Sequence, residues 1–169
     1  MESVQVAAMR AAARKWIDGQ HLRNVLKGDL SEMYDSDGKP LKGIRGRMGA
    51  VGMKVDGTDI GVDCIEMQPG SAFALHEHVG DHVLLFLSGV GSVHISGEDR
   101  VVGPGDTMFI PGEHPHAVTG PPETAREPLV IIAFGHPHKD VNAPDRMKHP
   151  SDHSHDHGHG HHHGHKHEH

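Results

Sequence analysis

From Gly43 to Phe134 the chain is a succession of short apolar or alternating runs cut by Gly and Pro. Alternation with period two, punctuated by turn residues, predicts half-buried strands rather than helices. The runs place strands near Arg45–Val55, Asp59–Gln68, Ala72–Leu75, Val83–Leu87, Gly91–Ile95, Arg100–Val102, Thr107–Ile110, His116–Val118 and Leu129–Phe134. So many short strands in one segment point to an all-β sandwich or barrel. Val83–Leu87 and Leu129–Ile132 are apolar without alternation, so both are expected to be covered on both faces. Gly89-Val-Gly91 and Gly103-Pro-Gly105-Asp106 read as tight turns, and Pro121–Pro128 as a surface loop.

The flanks have a different pattern. Val6, Met9, Ala13, Trp16 and Ile17 recur at helical spacing, which predicts a helix over Val4–Ile17 with Gly19 as its stop. Ser31–Lys42 contains Asp-Ser-Asp-Gly and Lys-Pro and reads as loop. After Phe134, His136-Pro-His138-Lys-Asp reads as a linker. The last stretch is almost devoid of apolar residues and cannot offset its ordering entropy by burial, so it is expected to be disordered without metal. The chain thus divides into a helical extension and loop (1–42), a β-barrel (43–135), and a linker with a His-rich tail (136–169).

Composition narrows the function classes. The 169 residues suffice for one domain with extensions. A formal net charge of -7 argues against a nucleic-acid partner. No apolar run is long enough to span a membrane. Met1–Gln5 is acidic and polar, without the look of a secretion signal, so cytoplasm is the expected compartment. The lone Cys64 cannot form an intrachain disulfide and is expected to be a small buried hydrophobe.

The chemistry lies in the histidines. His76 and His78 are two apart, so in a strand both imidazoles point to one face. A turn at Val79-Gly80-Asp81 would return His82 to the same place, and His116 follows a Pro-Gly turn after another strand. Neutral imidazole is the commonest protein ligand of transition metals. Glu77, between two such residues, should point away from the ion. Glu113 and His114 are candidates for proton transfer at the mouth of the site, although both sit where a turn residue would suffice. His94, between Val93 and Ile95, reads as a surface residue satisfied by a neighbour.

These residues also carry a resemblance. Gly70, His76, His78 and Gly89 fall on the first motif of the cupins, with His82 where that family has Glu; Gly105, Pro111 and His116 fall on the second. In the second motif Glu113 replaces a Gly and Gly120 an Asn. The resemblance spans about Ile60 to Phe134. It implies a single-domain jelly-roll cupin, a metal held by His76, His78, His82 and His116, and a homodimer. Four neutral ligands would leave the full dipositive charge on an Fe, Mn, Ni, Cu, Co or Zn ion, which favours a chelating anion in the open positions. The function this implies is an oxidoreductase of dioxygenase type acting on a small molecule.

The tail supplies the rival. Including His149, the last twenty-one residues hold eleven of the 20 histidines. His153, His155, His157, His159, His161, His162, His163, His165, His167 and His169 are interrupted by Gly, Asp, Ser, Lys and Glu, unlike a purification tag. Nearby imidazoles can chelate additional Ni or Zn. A metal-buffering, metal-sensing or metallochaperone protein is therefore the non-enzymatic alternative.

Overall fold

The computed structural model describes residues 17–55 and 58–150. The helix expected over Val4–Ile17 lies outside these residues apart from Ile17, as does the tail beyond Pro150. Among the described residues no helix is long and apolar enough to cross a membrane.

The described residues are all-β, with strands β1 (Ser31–Tyr34), β2 (Pro40–Val55), β3 (Thr58–Met67), β4 (Ala72–His76), β5 (Asp81–Ser88), β6 (Gly91–Ile95), β7 (Glu98–Val102), β8 (Thr107–Ile110), β9 (His116–Thr119) and β10 (Leu129–His136). Two antiparallel sheets face each other, one of order β1-β2-β3-β10-β5-β8 and one of order β4-β9-β6-β7. Sequential neighbours are distributed between the sheets, which is the jelly-roll arrangement.

Alternation decides what each strand buries. Ile65 and Met67 of β3, Leu84 and Phe86 of β5, and Ile131 and Ala133 of β10 point between the sheets. Phe73, Val93 and Val118 meet them from the smaller sheet, and all these residues belong to one buried cluster. Cys64 is fully buried, as expected of a small hydrophobe.

Three expectations change. Ser31–Lys42 is not all loop: Ser31–Tyr34 forms an edge strand on β2, and β2 itself begins at Pro40. The Asp35–Lys39 turn between them is what the Asp-Gly signal reported; the four residues of β1 were too few to show a period. Second, β5 is not covered on both faces. Val83 is 42% exposed, and it lies in register with Phe109 of β8 and Phe134 of β10, which are also exposed. An apolar run cannot by itself distinguish a doubly covered strand from one with an uncovered apolar face.

Third, the segment read as a linker after His136 lies against the barrel. Val141, Arg146 and Met147 are buried. Glu77 and Lys148 exchange a pair of backbone hydrogen bonds, N–H to O at 3.0 and 2.8 Å. The His138 N–H donates to the Asp59 carbonyl at 2.8 Å. Residues 137–150 therefore form a strap across one end of the barrel, held mostly by backbone bonds and a few side chains.

Candidate metal centre

His76 closes β4 and His116 opens β9, and the antiparallel register sets them opposite each other. Their ring centroids are 4.4 Å apart. His78 follows two residues later and stands 4.8 Å from His116 and 5.4 Å from His76. All three are buried. One ring nitrogen from each lies within 4.8 Å of the others, an arrangement that could hold a metal ion.

The second nitrogen of each ring shows how the site is set. Nδ1 of His76 meets the Ala74 carbonyl at 2.8 Å, Nδ1 of His116 the His114 carbonyl at 2.8 Å, and Nδ1 of His78 the Gly80 carbonyl at 3.3 Å. A carbonyl only accepts, so each Nδ1 carries the proton and each Nε2 presents its lone pair. This is the tautomer that a metal-binding histidine needs. Two nitrogens each about 2.1 Å from one ion lie at most about 4.2 Å apart, so small ring movements would close the three onto it. The donor set thus fits a divalent transition metal.

Burial also keeps the rings neutral. The pKa of His76 is pushed down to about 3, first by burial and then by His116. That of His78 falls to about 2, by burial and then by His82. His82 falls to about 3, by burial and then by the Arg146 cation. Burial likewise lowers His116.

His82 comes from the opposite sheet, on the same face of β5 as Leu84 and Phe86. Its ring stacks on His78 at 3.8 Å with 27° between the planes. It lines the same cavity but stands outside the three-nitrogen cluster. The cavity measures about 40 Å³ and is walled by Phe73, Leu84, Ile131 and Met147 among others. Since one water needs about 10–15 Å³, this is room for about three waters. A second cavity of about 20 Å³ lies against the strap and shares His78, His82 and Arg146 with the first.

The candidates for proton transfer lie elsewhere. Glu113 is exposed, with φ of 58° in the turn after β8. Its N–H donates to the His78 carbonyl at 2.7 Å, so its backbone, not its carboxylate, meets the site. His114 Nε2 pairs with Ser96 Oγ at 3.0 Å. Neither lines the two cavities at the histidines. His94 pairs with Asp99 at 2.8 Å, as its strand position suggested.

Sequence reading missed a buried ionic group beside the histidines. Asp63 is fully buried on the inward face of β3. Arg146 Nη2 stands 2.8 Å from its Oδ2, and His138 Nε2 stands 3.1 Å from both oxygens. The signal was a charged residue in phase with Ile65 and Met67, since a buried carboxylate requires a partner. His138 fits only because Gly61 has no side chain: a Cβ there would lie 2.3 Å from the ring. Gly61→Ala should therefore displace His138 and loosen the strap. Hydrogen exchange should rise at the His138 and Lys148 amides and stay unchanged in β5 and β10. Unchanged exchange at both amides would show that His138 does not hold the strap.

Residues 64–132 match the family model described as a cupin domain. Over these residues the barrel is similar to a cupin domain. Solved cupin-like structures agree on the fold. The structure of KdgF from Halomonas sp. is 23% identical with a TM-score of 0.55, covering 72% of this chain and 96% of that one. An RmlC-like cupin from Shewanella frigidimarina is 17% identical with a TM-score of 0.54, covering 69% and 90%. The polyketide cyclase RemF from Streptomyces resistomycificus is 18% identical with a TM-score of 0.52, covering 67% and 76%. At these identities the likeness concerns the cupin fold, which hosts many chemistries. No curated protein matches the chain by sequence.

Proposed function

We propose that this cupin is a metal-dependent oxidoreductase of dioxygenase type. His76, His78 and His116 hold one divalent ion (Fe, Mn, Ni, Cu, Co or Zn), with His82 as a fourth ligand, and a small chelating molecule is the substrate. The observation that supports this most is the set of three Nδ1–H groups fixed on backbone carbonyls, which turns three Nε2 atoms toward one cavity. The metal would supply Lewis acidity and, for a redox-active ion, electrons for reaction with dioxygen. The chain's own part is to keep the imidazoles neutral, to leave the ion's positive charge uncompensated, and to exclude water with Phe73, Leu84, Ile131 and Met147. The reading includes a cytoplasmic homodimer, for which the exposed row of Val83, Phe109 and Phe134 offers an apolar face.

The test loads the full-length protein with Fe(II), Mn(II), Ni(II) or Cu(II) and offers β-diketones, enediols, catechols and thiols while oxygen is followed. At least one pairing should consume oxygen about 100-fold faster than His78→Ala under the same conditions, the scale expected when a metal site is lost. Rates equal to that variant throughout would rule out the dioxygenase.

One observation favours a metal-handling protein instead. The strap that crosses the histidine cavity leads directly into the His-rich sequence after Pro150. In that reading the tail's additional Ni or Zn passes to or from the barrel, and oxygen consumption is absent with every metal.

A further inference from the structure

Arg146 borders both cavities at the histidines and is only 8% exposed. Its guanidinium is always charged and carries more N–H donors than its neighbours use. Nη1 donates to the Lys139 carbonyl at 2.5 Å, and Nη2 stands 2.8 Å from Asp63. A guanidinium at a cavity wall meets a carboxylate through charge-assisted hydrogen bonds, so an anionic ligand is the group best suited to this position.

The charges around the cavity point the same way. An imidazole that lends its lone pair to an ion carries no charge of its own, and Arg146 is balanced by Asp63. A divalent ion on the three nitrogens would therefore face the cavity with its charge uncompensated. The outer cavity is edged by Lys139 and Lys148, so an approaching anion meets positive charge there too, although Lys139 is paired with Asp145.

We propose that the space between the histidine cluster and Arg146 is a binding site for a small carboxylate or enolate. One oxygen of the anion would reach the ion and the other the guanidinium, with a short aliphatic group against Phe73 and Met147. The cavity of about 40 Å³ limits the ligand to a few heavy atoms while the strap is seated. This rests on the barrel metal of the function proposed above, but not on its oxidative chemistry.

The test follows fluoroacetate and its uncharged counterpart fluoroacetamide by fluorine NMR on the zinc-loaded full-length protein. Zinc does not react with dioxygen, so the result is independent of whether the protein is an oxidoreductase. Wild type should bind fluoroacetate at least about tenfold more tightly than fluoroacetamide. Arg146→Met should weaken fluoroacetate binding more than fluoroacetamide binding and so narrow that preference, leaving only the share due to the ion. Asp63→Asn, which removes the carboxylate competing for Arg146, should tighten fluoroacetate binding. If Arg146 and Asp63 only latch the strap, both variants will change both probes in the same direction. That result, or equal binding of the two probes by wild type, overturns the proposal. Should Arg146→Met fail to fold, the direction of the Asp63→Asn effect decides alone.

Discussion

Full-length His78→Ala should hold about one divalent ion per chain fewer than wild type after dialysis against a weak chelator. The barrel site should lose at least about 100-fold in affinity, because removing a ligand costs more than disturbing its supporting groups, which alone costs about 10–100-fold. His78 suits the test because it touches every other member of the group: it stacks on His82 and lies edge-on to both His76 and His116. Ions bound by the tail are common to both proteins, so the difference isolates the barrel. His94→Ala is the control, since His94 is half exposed and paired only with Asp99. Elemental analysis giving the same metal content for His78→Ala and wild type would end the assignment of the metal to these histidines.

Mild acid should destabilise the metal-free protein strongly. The unfolded histidines take up protons near pH 6.5. In the fold His76 does so only at about 3, His78 at about 2 and His82 at about 3. A depressed histidine pKa means that the unfolded chain binds more protons throughout that interval, so stability falls as pH drops from about 6.5 toward 3. The unfolded imidazole is only half protonated at pH 6.5, so each group contributes about 1 kcal/mol between pH 6.5 and 5.5, and the three together roughly 3 kcal/mol. The rings are close enough to titrate together, which makes this an upper value. Urea unfolding at pH 7.5 and 5.5 reads the effect directly. With zinc bound the loss should be steeper, because protons then compete with the ion for Nε2 as well. Equal unfolding midpoints at the two pH values would show that the histidines are hydrated rather than buried.

The strands were legible because most bury one face and alternate accordingly. Gly91–Ile95 and Thr107–Ile110 were placed to the residue and the other barrel strands within two, except β2, which begins five residues before its expected start. Ser31–Tyr34 was missed because four residues against one neighbour leave almost no period to read. The three clustered histidines were legible because two are adjacent in phase on one segment and the third is carried to them by the β4–β9 register. The position of His82 was only half legible: its phase on β5 gave the cavity but not the stacking on His78. Arg146 was invisible for a different reason. It reaches the cavity from a segment with no periodicity, through backbone bonds that any sequence could make. Asp63 announced that a partner existed, but nothing in the chain's pattern said which of the sixteen Lys and Arg residues it was.

Each of the three clustered imidazoles is oriented by a carbonyl only two residues away in the chain. No side chain is needed to hold any of these tautomers. The centre is therefore insulated from drift in its own walls. Phe73, Leu84, Ile131, Met147 and even Arg146 can be exchanged without altering which nitrogen of each ring is left free of its proton. A lineage carrying this arrangement could change what the cavity accepts many times over while keeping its three nitrogen donors in place.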